Sequence, residues 1–131
     1  MNDCIFCNIV SGKIPSFKIY EDSDAIVFLD INPMHKGHVL VIPKTHHEYI
    51  FDVPEPLYSR LFQLAKKLST TLKSYTNSKK IGLAIEGLSV NHVHLHLVPI
   101  NNINDLDPCL SKPADFKDLE LIASDLKKLL E

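Results

Sequence analysis

The stretch Ser89-Val90-Asn91-His92-Val93-His94-Leu95-His96-Leu97-Val98-Pro99 decides how the chain is read. From Asn91 onward polar and apolar residues alternate. An extended backbone therefore sends His92, His94 and His96 to one face and Val93, Leu95 and Leu97 to the other. The apolar face calls for a core beneath it, which leaves the imidazoles lining a surface cleft. At roughly 2% His per position, three at i, i+2 and i+4 occur about once in a thousand chains of this length. A merely solvated strand face would more normally carry Lys, Glu and Thr.

Two chemistries use such a row. One is a three-histidine metal site. At ~3.3 Å per residue, His92 and His96 stand about 13 Å apart at Cα, so all three rings would have to lean inward sharply. The other is nucleophilic catalysis. A neutral imidazole, with an unperturbed pKa of about 6.5, attacks while a neighbouring ring supplies an N–H. Phosphorus is the natural electrophile, because a phosphoimidazole is labile enough to be hydrolysed.

Around this segment lie 131 residues, 45% hydrophobic and 23% charged, which suits one domain spanning 1–131 with a single core. Four glycines and eight prolines exclude a collagen-like chain. No apolar run approaches the roughly 18 residues of a membrane helix, and the first residues lack a secretory pattern. The expectation is a cytoplasmic protein with no membrane partner. A net charge of −2 gives no basic footprint for nucleic acid. Arg60 is the only arginine, so a bound phosphate would rely on imidazole, lysine, hydroxyl or backbone N–H. Ser89 and the backbone around Gly87 are candidates. Cys4-x-x-Cys7 suggests metal or redox chemistry rather than a disulfide, although small buried thiols fit the spacing too. Cys109 has no apparent partner. His35 and His38 flank a turn and read as core or surface residues rather than catalytic ones.

The spacing predicts a short helix over 4–11 ended by Gly12, and strands over 17–20 and 25–29 joined by a turn at 21–24. A loop at Asn32-Pro33 and Lys36-Gly37 precedes a strand over 38–42, stopped by Pro43. Leu57, Leu61, Leu64, Leu68 and Leu72 recur at helical spacing from Pro54 to about Tyr75. Strands over 81–85 and 92–99 follow, then an amphipathic helix from Asp115. Short links between the strands favour antiparallel pairing, hence α+β rather than a doubly wound sheet.

The His-x-His-x-His run followed by Leu97-Val98 resembles the signature of the histidine-triad nucleotide hydrolases and transferases, in their Hint-like branch. The resemblance extends to Cys4-Ile5-Phe6-Cys7, Ile14-Pro15, Tyr20-Glu21-Asp22, Phe28-Leu29-Asp30, Gly37-His38 and Val41-Ile42-Pro43-Lys44-Thr45-His46. It implies a five-stranded antiparallel sheet with two main helices, and a homodimer. It implies that His94 attacks the α-phosphorus of a purine nucleotide or conjugate, forming a nucleotidyl-histidine that water releases. His96 and Ser89 match positions that hold phosphate oxygens, and Asp30 one that takes the ribose hydroxyls. Ile5, Phe6, Ile9, Phe28 and Leu29 match the walls around base and ribose. Some members bind zinc through positions matching Cys4, Cys7, His46 and His92, which would leave only His94 and His96 for phosphate. The chain departs from the pattern before the triad: Ile85–Val90 is short, and Leu88 stands where glutamine is common. A nucleotide-binding regulatory protein with weak or no catalysis, and a metal-dependent hydrolase using the triad as ligands, are the alternatives.

Overall fold

The computed structural model describes residues 3–131. Strands β2 (Ala25–Leu29) and β3 (Val39–Pro43) are buried along their whole length, as their near-continuous apolar composition requires. With β1 (Lys18–Glu21), β4 (Lys80–Ala84) and β5 (Leu95–Ile100) they form one antiparallel sheet in the order β1-β2-β3-β5-β4. The register sets Val27 opposite Val41 and Leu40 opposite His96.

Each face of the sheet has its own cover. Val27, Leu29, Val39, Val41, Leu95 and Leu97 pack against α2 (Leu57–Thr76) and α3 (Phe116–Leu130), through Leu61, Leu68, Leu72, Leu119, Ile122 and Leu126. On the other face Ile26, Phe28, Leu40 and Ile42 pack against Phe6 and Ile9 of α1 (Ile5–Val10). Cys4 caps α1, its sulfur accepting the Cys7 N–H, and Gly12 turns the chain away at φ 85°. Asn77, in the left-handed conformation at φ 53°, ends α2. Asp115 caps α3, and Lys127 and Lys128 in its last turn complement the helix dipole.

Two expected boundaries shift, and both matter for the site. The last strand begins at Leu95, so His92 and His94 precede it. Pairing with β3 stops at Val41↔Leu95 and pairing with β4 at Ala84↔His96, so no strand remains to hold 92–94 in a ladder. The Val93 N–H instead donates to the His47 carbonyl at 2.7 Å. Val93 still joins the helix-side core, so the alternation survives without regular pairing. His38 likewise precedes its strand rather than opening it. Short 3-10 turns at Ile50–Asp52 and Pro108–Leu110 interrupt segments expected as loop. Among the described residues, no helix is long and apolar enough to cross a membrane.

Candidate active site

On the α1 side of the sheet a cleft of about 510 Å³ opens beside the triad. Ile5, Phe6, Ile9, Phe28 and Leu29 form its apolar end, with Asp30 at the end of β2. Ser89, His94 and His96 stand at its other end. Phe6 ties the two together, its ring edge-on to Phe28 at 5.7 Å and to His94 at 4.9 Å. The expected polar face is more deeply set than alternation alone suggests. His92 and His94 are 0% and 2% exposed, sealed by α1, and His96 is half-buried.

Backbone groups determine which nitrogen of each ring carries its proton. The Met34 N–H donates to His38 Nδ1 at 3.0 Å, so in the neutral ring the proton sits on Nε2. That Nε2–H donates to His96 Nδ1 at 2.9 Å, which leaves the His96 proton on Nε2. His94 Nδ1 donates to the His92 carbonyl at 2.7 Å, leaving Nε2 with its lone pair. His92 Nε2 donates to the Pro43 carbonyl at 3.0 Å, leaving Nδ1 as an acceptor. Burial favours the neutral form of His38, His92 and His96. It holds His38 down to about 4, against the opposing pull of Asp30, whose carboxylate lies 3.6 Å from Nε2. Burial also lowers His92, and burial with the neighbouring His94 lowers His96. No buried side-chain nitrogen or oxygen lacks a partner among the described residues.

The remaining face of His92 points to a second cluster. Its Nδ1 lies 3.4 Å from Cys4 Sγ, 3.6 Å from Cys7 Sγ and 3.1 Å from His46 Nδ1, and Cys7 Sγ lies 3.3 Å from His46 Nδ1. A tetrahedral ion with bonds of about 2.0 Å to nitrogen and 2.3 Å to sulfur needs donors about 3.3–3.8 Å apart. Two sulfurs and two imidazoles at these separations fit zinc. The Pro43 carbonyl fixes the His92 tautomer as second-sphere partners of metal-bound histidines do. Without an ion, burial and the Cys4 sulfur raise the Cys7 thiol above its ordinary value. The other set of donors close enough to share an ion is Asp30, His38 and His96. There, His38 and His96 already face each other through a hydrogen bond. Neither set gathers all three triad histidines, so the geometry does not favour a single ion held by the triad.

Residues 11–103 match the HIT domain family model. The chain belongs to the HIT family. It is 37% identical over 139 aligned residues to Protein hit of Bacillus subtilis, covering 98% of this chain and 94% of that one. It is 39% identical over 105 residues to adenosine 5'-monophosphoramidase HNT1 of Candida albicans, covering 73% and 69%. Among solved structures it superposes on a zinc-bound histidine triad family protein from Mycobacterium smegmatis at TM-score 0.79, with 32% identity over 97% of this chain and 95% of that one.

In this HIT chain the residues singled out from sequence fall into two groups. Ile5, Phe6, Ile9, Phe28, Leu29, Asp30, Ser89, His94 and His96 share the cleft, and Cys4, Cys7, His46 and His92 share the second cluster. Sequence reasoning missed His38. It reads as a core or surface residue because nothing local signals a partner 58 positions away at His96. Gly37 was the available signal. Its φ of 91° and the 2.8 Å from a notional Cβ to Thr76 Cγ2 pin the turn against α2 and aim His38 inward. His47 stays out of the cluster, its Nε2 2.9 Å from Thr45 Oγ1. Leu88 is 87% exposed and adds no polar group to the cleft.

Proposed function

We propose that the chain hydrolyses a nucleoside phosphoramidate or related conjugate at its α-phosphorus, through a covalent nucleotidyl intermediate on His94. One observation carries this reading. His94 Nδ1 is tied to the His92 carbonyl, so the ring keeps a lone pair on Nε2 beside the cleft, with no hydrogen-bond partner on that nitrogen among the described residues. The Nε2 lone pair attacks phosphorus, and the P–N bond breaks with its electrons going to the amine nitrogen, which takes a proton from water. Water then cleaves the N–P bond of the intermediate, releasing nucleoside monophosphate and restoring His94. His96, its proton held on Nε2 by His38, donates a hydrogen bond to a phosphoryl oxygen, and Ser89 donates a second. Depressed basicity makes His96 a donor to developing charge rather than an acid with a spare proton.

Asp30 would accept from the ribose hydroxyls, between the Phe6–Phe28 wall and His38. The name of the Candida albicans relative supports an adenosine nucleotide and a P–N bond. Zinc held by Cys4, Cys7, His46 and His92 would clamp α1 to the segment before β5, fixing Phe6 against His94. Its contribution is structural. β4 is an edge strand with Leu83 exposed, a surface suited to a second copy of the chain.

Mass spectrometry of the intact protein, after brief mixing with an adenosine 5'-phosphoramidate, tests the mechanism. A transient adenylyl adduct on the native protein, absent in His94→Ala, is the expected result. Unchanged turnover in His94→Ala refutes it. Nucleotide binding with neither adduct nor product would make the chain a binding protein.

A further inference from the structure

We infer that Glu86 selects leaving groups that carry positive charge, so that the conjugates cleaved best are those whose amine bears a second, cationic group. The inference rests on the reaction proposed above and names the part of the substrate which that reading leaves open.

The order of strands gives the cleft a direction. Its apolar end sits over β2, where Phe28 faces α1. The cleft then passes Leu40 on β3 and His96 on β5, and ends at Ala84 on β4 and Glu86 beyond it. A nucleotide with its nucleoside at the β2 end and its phosphorus at His94 and His96 can extend along the sheet past β5 toward Ala84 and Glu86. The leaving group therefore lies against the short loop that follows β4.

That loop holds the carboxylate in place. Gly87 takes the left-handed conformation at φ 66°, which turns the chain within one residue, and a Glu86 carboxylate oxygen accepts the Leu88 N–H. Glu86 is exposed, yet its charge reaches His96, where it opposes the effect of burial. No lysine or arginine is among the described residues that line the cleft; its formal charges are the carboxylates of Asp30 and Glu86. Asp30 stands at the nucleoside end and Glu86 alone at the other. An anionic leaving group would meet Glu86 with no cation to offset it, whereas a distal ammonium would pair with it. An exposed pair of this kind changes affinity by a factor of about two to five, and the swing from attraction to repulsion makes about tenfold.

Three adenosine 5'-phosphoramidates of equal length test this, with amines ending in an ammonium, a methyl or a carboxylate. The native protein should show kcat/KM falling in that order, the ends about tenfold apart, with the span shrinking at high ionic strength. Glu86→Gln, which keeps an acceptor for the Leu88 N–H, should compress the span to within about twofold. Glu86→Lys should reverse the order. Equal rates for the three substrates in the native protein, or one span shared by native protein and both variants, overturns the role of Glu86 and leaves the reaction standing. No turnover of any of the three, the uncharged one included, overturns the reaction itself and this inference with it.

Discussion

Protonating His38 should cost the fold stability in a pH window fixed by its burial. The ring is 1% exposed and its pKa is pushed to about 4 from an ordinary 6.5, mainly by burial. Above pH 6.5 the ring is neutral whether the chain is folded or unfolded, and its contribution is complete. Between 6.5 and about 4 the unfolded chain binds a proton that the folded chain refuses, so stability falls as pH falls. At about 1.4 kcal/mol per pKa unit, the full loss is about 3 kcal/mol. The assay is urea unfolding at a series of pH values from 7.5 to 4.5, read by circular dichroism because the chain has no tryptophan. His38→Gln supplies the reference. The amide still donates toward His96 Nδ1 but does not titrate, so the difference between the two profiles removes the carboxylates and the other histidines. Native protein minus variant should decline by most of that 3 kcal/mol toward pH 4.5. A flat difference would refute the buried neutral ring. A difference of opposite slope would mean that the Asp30 carboxylate, 3.6 Å away, wins over burial and holds His38 charged. A charged His38 would still donate its Nε2–H to His96 Nδ1 but would bring its own Nδ1–H against the Met34 N–H.

Cys7→Ser removes one of four converging donors and should lower both zinc content, measured by atomic absorption at one ion per native chain, and the melting temperature by more than about 5 °C. Full stability without bound metal would remove the structural role assigned to zinc. Leu61→Ala, at a side chain 1% exposed between α2 and the sheet, should cost about 3 kcal/mol and about 10 °C in thermal unfolding. Its turnover per folded molecule should stay near native, because Leu61 lies on the face opposite the cleft.

Much of this was legible in the residues because local chemistry and global placement agree. The alternation of Val93, Leu95 and Leu97 with the triad identifies the side that joins the helix-side core even where the ladder is absent, but not the burial of His92 and His94 opposite. The leucine spacing from Leu57 to Leu72 marks α2, whose start falls three residues after the expected Pro54 and whose end falls one after Tyr75. What was not legible depends on distant partners. The start of β5 at Leu95 follows from where β3 and β4 stop pairing, which periodicity within 89–99 does not contain. His38 acquires its role only when the sheet brings it beside His96 and the turn at Gly37 brings the Met34 N–H beneath it. Glu86 is an ordinary exposed acid in sequence and becomes distinctive once the cleft's lining is known to lack a cation.

The Cys4–Cys7–His46–His92 cluster and the cleft are joined through single residues rather than by proximity alone. His92 offers Nδ1 to the cluster, while its carbonyl accepts the His94 Nδ1–H. Phe6 lies between two cluster cysteines, and its ring packs on both His92 and His94. An ion holding Cys4 and Cys7 to His92 would therefore constrain at once the carbonyl that sets the His94 tautomer and the ring that walls the cleft. Loss of metal should accordingly loosen nucleotide binding and chemistry together, in proportion to how far α1 departs from the sheet. A metal acting directly on phosphate would instead abolish chemistry while leaving binding intact, and measuring Kd and turnover on the same chelated sample separates the two.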